Sequence, residues 1–193
     1  MTGGTTVVPF PGPQSVVLFG HEGIATDDPD YFAAAILTEV LGGGRFSARL
    51  MTEVRDKRGL TYGIGAGLVG YDNAALVLGQ VATANGTVAE TIDVIRTEWA
   101  RIATEGLTGS ELAATKTFLT GSYPLRFDGN GPIANILVGM QLIGLPVDYP
   151  ATRNARLEAV TMADVTRVAE RLFRPEALRF VIVGSPEGLS ATE

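Results

Sequence analysis

Cysteine is absent from the 193 residues, and histidine occurs once, at His21. The first absence removes disulfides, thiolate metal sites and thiol catalysis together. The second removes a zinc site of the usual kind, two histidines one helical turn apart with a carboxylate, and any Ser-His-Asp triad that does not run through His21. No Gly-x-Ser-x-Gly elbow accompanies that residue. His21-Glu22-Gly23 follows a short apolar run, and a lone histidine at a strand end reads as a polar surface or capping residue. Charge is sparse, at 19% of residues, and its balance is negative: net −6 with a pI near 4.9. That sign disfavours nucleic acid and anionic membrane surfaces as partners. No apolar run is long enough for a membrane span. The longest candidate, Ile133 to Val147, is interrupted by Asn135, Gln141 and Pro146 and reads as a buried helix. Met1-Thr-Gly-Gly-Thr lacks the basic and apolar regions of a signal peptide.

What is present suffices for one core, since 46% of the chain is hydrophobic and the length suits one domain. Residues 1–13 carry Gly3, Gly4, Pro9, Pro11, Gly12 and Pro13, a composition that suits a linker or extended arm. The domain is expected over residues 14–193. Ser15-Val-Val-Leu-Phe-Gly20 reads as a buried strand. Asp28-Pro29 offers a helix start, with Phe32, Ile36, Leu37, Val40 and Leu41 at helical spacing until Gly42. Ser47 opens a second helix to about Lys57, with Leu50 and Val54 inward. Two strands follow, Tyr62 to Tyr71 and Ala74 to Ala84, joined by Asp72-Asn73.

Thr87 with Glu90 and Thr108 with Glu111 fit the capping box. The first of the helices they open carries Ile92, Ile95, Trp99 and Ile102 as a core-facing stripe. A break at Phe127-Asp-Gly-Asn-Gly131 leads into a helix from Ile133 to Leu142. Thr161 with Asp164 caps a last helix carrying Val165, Val168, Ala169 and Leu172. Leu178 to Gly184 returns a strand. Strand, helices, hairpin, helices and strand do not alternate as a doubly wound fold does. The expected class is α+β, a two-layer sandwich of helices on one face of a mostly antiparallel sheet.

Three glycines in a row, Gly42, Gly43 and Gly44, follow a helix instead of opening one, which argues against phosphate and dinucleotide loops. They read as a helix terminus and connector. The basic cluster Arg45, Arg49, Arg55, Lys57 and Arg58 is interleaved with Glu53 and Asp56 and reads mainly as a solvated helix face. Arg55 and Tyr62 lie seven apart across an apparent helix-to-strand turn. Arginine offers a fixed fan of N–H donors and a permanent charge, and tyrosine a neutral O–H donor. Arg58 is the rival for the arginine role.

Leu41-Gly-Gly-Gly, Phe46-Ser-x-Arg-Leu50, Arg55-x-Lys-Arg-Gly-Leu-x-Tyr62, Asp28-Pro-Asp-Tyr-Phe32 and Gly121-Ser-Tyr-Pro-Leu125 together resemble the C-terminal, non-zinc-binding domain of the pitrilysin/insulinase family. These are inverted zinc metallopeptidases that include the mitochondrial processing peptidase. The likeness runs from about Gln14 to Gly184 and implies that family's α+β fold. It implies that Arg55 and Tyr62 hold substrate backbone and support the transition state beside a zinc carried elsewhere. It also implies that Gly42, Gly43 and Gly44 are a short version of a substrate-contacting glycine-rich loop. The zinc would sit on an N-terminal domain or partner subunit, with no cofactor or metal on this chain, and the substrate would be a peptide or unfolded protein. His-x-x-Glu-His, the family's zinc motif, cannot be built here, so the isolated chain is expected to be inactive. A non-catalytic, scaffolding member of the fold family is the alternative. The resemblance leans toward a bacterial protein of the periplasm or cytoplasm, the periplasm first.

Overall fold

The computed structural model describes residues 2–189 and 191, so the outer limits of the two expected spans, Met1 and Glu193, lie outside the described residues. Five strands form one sheet in the order β1-β5-β2-β4-β3, where β1 is Gly4–Pro9, β2 Gln14–Glu22, β3 Ile64–Tyr71, β4 Ala74–Ala84 and β5 Arg179–Gly184. Three of its four pairings are antiparallel, and β1 runs parallel to β5. The helices are α1 Tyr31–Gly42, α2 Val88–Glu105, α3 Gly109–Ser122, α4 Asn130–Leu142, α5 Tyr149–Ala159 and α6 Met162–Leu172. An α+β sandwich is therefore what the chain builds.

Alternation along the strands decides which face is covered. In β2, Ser15, Val17, Phe19 and His21 are buried while Val16 and Leu18 are exposed. Val77, Val81, Phe180 and Ile182 share the covered side with them, beneath buried residues of α1, α2 and α6. Trp99 of α2 joins the layers, edge-on to Phe19 at 5.7 Å and to Phe173 at 5.7 Å between ring centroids. Aromatic pairs in this geometry contribute about 0.5–1.5 kcal/mol beyond the area they bury.

Several local expectations change. Residues 4–9 are extended, as their composition requires, but they form an edge strand, registered from Gly4 on Arg179 to Pro9 on Gly184. Proline at the strand's last position needs no ladder donor. Helix α1 starts two residues after Pro29. Its N-cap is Asp30, whose carboxylate is taken by Arg167 and Arg171 of α6 at 2.6–2.7 Å. Thr87 makes no capping box. A 3-10 turn at Asn85–Thr87 places its backbone outside the extended range, and its hydroxyl donates back to Ala84 O at 3.0 Å. Thr108–Glu111 and Thr161–Asp164 do form reciprocal capping boxes, each contributing about 1 kcal/mol. The hairpin turns at Asp72-Asn73, with Tyr71 paired to Ala74.

The run read as a buried helix is a helix but is not buried. No residue of α4 falls in the core, and Leu142 is 80% exposed and Val147 91%. Helical spacing reports an apolar content and not what covers it. No helix among the described residues is long and apolar enough to cross a membrane.

His21 is likewise inside, fully buried. Trp99 Nε1 donates to its Nε2 at 2.8 Å. Its Nδ1 then carries the proton and donates to Glu22 O at 2.7 Å. Both nitrogens are used by the neutral ring, and a second proton on Nε2 would oppose the Trp99 N–H. Burial lowers the His21 pKa below its ordinary 6.5, with Arg174 adding to the effect and Glu176 and Glu22 opposing it. A histidine depressed in the folded state contributes stability that is complete above 6.5 and lost as the pH falls below that value. Urea denaturation should therefore show the protein weakening from about pH 7 to about pH 5, with His21→Gln losing less over the same range. Parallel pH profiles for the two proteins would show that His21 is not the group responsible.

Candidate functional site

The segment from Gly42 to Gly63 carries every site residue expected from sequence, and it is anchored at several points. Arg45 donates to Glu39 at 3.1 Å and to Thr115 of α3 at 3.0 Å, its guanidinium lying 4.6 Å from the Phe118 ring centroid. Arg49, expected on a solvated face, is buried. It forms a two-pronged bond to Glu111 at 2.8 and 2.9 Å and reaches Gly106 O at 2.9 Å. Burial works against ionisation of Glu111, but the bonds from Arg49 and Thr108 outweigh it and hold the carboxyl at about 2. Removing one partner of such a pair leaves the other charge stranded, which is where the cost of breaking it arises.

Between these anchors and β3 the helix expected to Lys57 is wound wide. Met51–Asp56 is a π-helical turn, marked by Lys57 N donating to Thr52 O at 3.0 Å, five residues back. Single π turns inside helices are frequent at functional sites. Gly59, at φ 64°, reverses the chain, with its N–H on Arg55 O at 2.9 Å. The positive φ explains why glycine stands there.

Tyr62 does not start the strand. It sits in a bend two residues ahead of Ile64. Its neighbours bond sideways to β4 and so delay the ladder: Thr83 Oγ1 donates to Leu60 O, and Thr61 Oγ1 to Ala82 O at 2.7 Å. The backbone under Tyr62 is thus tied down while its side chain is 92% exposed.

Arg55 and Tyr62 come together. The guanidinium carbon lies 5.7 Å from the Tyr62 ring centroid and 4.9 Å from that of Phe46. Arg55 also meets Asp56 at 2.9 Å, an exposed ion pair worth about 0–1 kcal/mol and easily exchanged for a ligand. Arg58 is committed elsewhere, to the carboxylate of Glu53 at 2.8 Å and its carbonyl at 2.7 Å. Phe46 was not among the site candidates, although its position four residues ahead of Leu50 is part of the pattern quoted above. Of the glycines, Gly42 is buried against the backbone of β3, Gly43 lies beside the Glu39 carboxylate, and Gly44 is exposed with nothing near it. Chemically, a cation and a phenol can hold carbonyl oxygen and negative charge. They supply no nucleophile, and among the described residues no group of three or more His, Asp or Glu could hold a metal ion.

A family model described as the peptidase M16 inactive domain matches residues 2–119, more than half of the chain and inclusive of β1. The chain therefore belongs to the peptidase M16 family, as an inactive domain of zinc protease-like proteins. Among relatives, an uncharacterised zinc protease of Streptomyces coelicolor is 31% identical over 156 residues, 81% of this chain and 34% of that protein. A non-peptidase homologue of Helicobacter pylori is 25% identical over 89% of this chain and 40% of its own length. The crystal structure of a peptidase M16 inactive domain from Pseudomonas fluorescens superposes with a TM-score of 0.87 at 28% identity, covering 100% of this chain and 45% of that one. The chain thus spans about a third to under half the length of these proteins.

The two ends of the glycine run should respond oppositely to a methyl group. A Cβ on Gly42 would lie 2.6 Å from Ala66 N, whereas one on Gly44 would meet nothing within 4 Å. Gly42→Ala should cost about 1–2 kcal/mol, overpacking outweighing the gain in helix propensity. Gly44→Ala should stay within about 0.5 kcal/mol of the parent. Denaturant midpoints at constant m-value measure both, and an unchanged Gly42→Ala midpoint would contradict the close packing.

Proposed function

We propose that this chain is the substrate-holding half of a two-domain or two-subunit zinc endopeptidase that acts on peptides or unfolded proteins. The observation that carries the reading is the stacking of Arg55 and Tyr62 in the open, on a backbone fixed by Leu60, Thr61 and Gly59. Neither side chain is spent on the core. Such preorganised, exposed donors suit recognition of a bound backbone and of charge that develops during reaction.

In this reading the zinc-bearing partner, an N-terminal domain or second subunit, holds the metal, which supplies the activated water and a Lewis acid. Arg55 holds substrate carbonyls through its N–H fan, with Phe46 and Tyr62 limiting its rotamers. Tyr62 Oη donates to the carbonyl oxygen as it gains charge. Gly43 and Gly44 leave backbone open to an extended chain beside Arg45, and Gly42 lets α1 end against β3. The S. coelicolor zinc protease supports a catalytic assembly.

The H. pylori non-peptidase homologue favours a second reading, a scaffolding member that keeps the fold without catalysis. The test that separates them is reconstitution with the zinc-bearing half. Tyr62→Phe should then lower kcat by roughly 10²–10³ with stability unchanged. Arg55→Ala should raise KM as well as lower kcat. Equal turnover by Tyr62→Phe and the parent at saturating peptide would remove Tyr62 from the mechanism. A reconstituted, zinc-loaded assembly with no peptidase activity at all would favour the scaffold.

A further inference from the structure

On the helical side of the molecule, α1, α4 and α5 enclose a cavity of about 330 Å³ that shares no residue with the Arg55–Tyr62 site. That size is at the lower end of the roughly 300–1,000 Å³ of small-molecule sites. Its walls are largely aromatic and aliphatic: Tyr31 and Phe32 from α1, Ile136 and Met140 from α4, Tyr149 from α5, and Phe127 from the turn before α4. Phe32 stacks on Tyr149 at 6.5 Å and Tyr123 meets Phe127 edge-on at 5.2 Å, so much of the lining is held by ring packing.

Three polar features converge on this apolar space. Tyr123 lines it and is only 6% exposed, yet its hydroxyl has no hydrogen-bond partner among the described residues. An orphaned buried hydroxyl is destabilising, and a ligand's acceptor would recover that loss. Arg126 and Arg153 also line the cavity, and no acidic residue does, although the chain as a whole carries −6. Arg153 is already aimed: its guanidinium lies 4.3 Å from the Tyr123 ring centroid, steadied by Nη1 bonds to Leu119 O and Asn154 Oδ1. Burial raises the pKa values of Tyr31, Tyr123 and Tyr149, so the phenols stay neutral donors at physiological pH.

We propose that this cavity binds a small monocarboxylate with an apolar body, its carboxylate between Arg126 and Arg153 and accepting from the Tyr123 hydroxyl. Two arginines without an acid select the negative charge. The aromatic lining selects the apolar body over a hydrated polyanion, which would lose its water without enough donors to replace it.

Phenylacetate serves as the probe and phenethyl alcohol as its uncharged counterpart, titrated into the full chain while methyl NMR signals of Ile136 and Met140 are followed. Phenylacetate should shift both signals saturably with a Kd of about 1 mM or tighter, and phenethyl alcohol should bind about tenfold more weakly. Tyr123→Phe keeps the ring and deletes only the orphaned hydroxyl, so it should weaken phenylacetate about tenfold while leaving stability equal or slightly higher. Arg126 is exposed and holds nothing in the core, and Arg126→Gln should also weaken the carboxylate but not the alcohol. Four results would each overturn the proposal: no saturable shift, equal affinity for acid and alcohol, undiminished binding to a folded Tyr123→Phe protein, or shifts centred on the open face of the sheet.

Discussion

Trp99 is the point at which sheet and helices are locked together. Its ring meets Phe19 of β2 and Phe173 after α6, and its N–H closes on the one histidine of the chain. A sheet with one covered face needs a large residue that can fill the space between strands and helices and still satisfy any polar atom it brings in. Here the indole and the imidazole satisfy each other, which allows both to be fully buried. With that pair in place, α2 cannot slide along β2 without breaking a hydrogen bond that has no water to replace it.

Against this frame the functional segment is held by charge rather than by apolar burial. Arg49 passes inward to Glu111 and Gly106, and Arg45 runs to Glu39 and Thr115, so the chain between α1 and β3 is fastened to α2's end and to α3. Arg55, in the same basic run, is turned the other way, between two exposed rings. Five cations of one sequence cluster therefore divide into those that fasten the segment and one that it displays. Arg58 and Lys57 both neutralise Glu53 and belong with the first group.

Periodicity made the layers legible. The stripes in α1, α2 and α6, the hairpin at Asp72-Asn73 and the capping boxes at Thr108 and Thr161 are local signals, and local energetics produce them. Signals of the same kind failed where a distant residue decides the outcome. Asp30 takes the N-cap position of α1 with no side-chain cap bond, its carboxylate going instead to two arginines from α6, and the Asp28-Pro29 pair says nothing of α6. His21 looked superficial since its partner is 78 residues away. Residues 4–9 become a strand through β5, which the chain reaches last. The apolar spacing of α4 is real, yet it predicts burial only when something lies against it. At the site, the Arg55–Tyr62 spacing and the glycine run were visible, but the π turn was not, because no residue type marks a helix whose hydrogen bonds span one residue more.

That wider turn has a consequence for how the site tolerates change. A π turn is what a helix looks like when it has absorbed one extra residue without shifting the elements on either side. Arg55 faces Tyr62 in that underwound count, and each residue of an α-helix turns the next side chain by roughly 100°. Deleting Thr52 alone would relax the turn to an ordinary helix and swing the guanidinium out of the stack, even though every residue of the pair, the charged anchors and the core would still be there. For this segment, chain length is as much a part of the site's identity as its amino acids, and an alignment gap of one would carry more information than most substitutions.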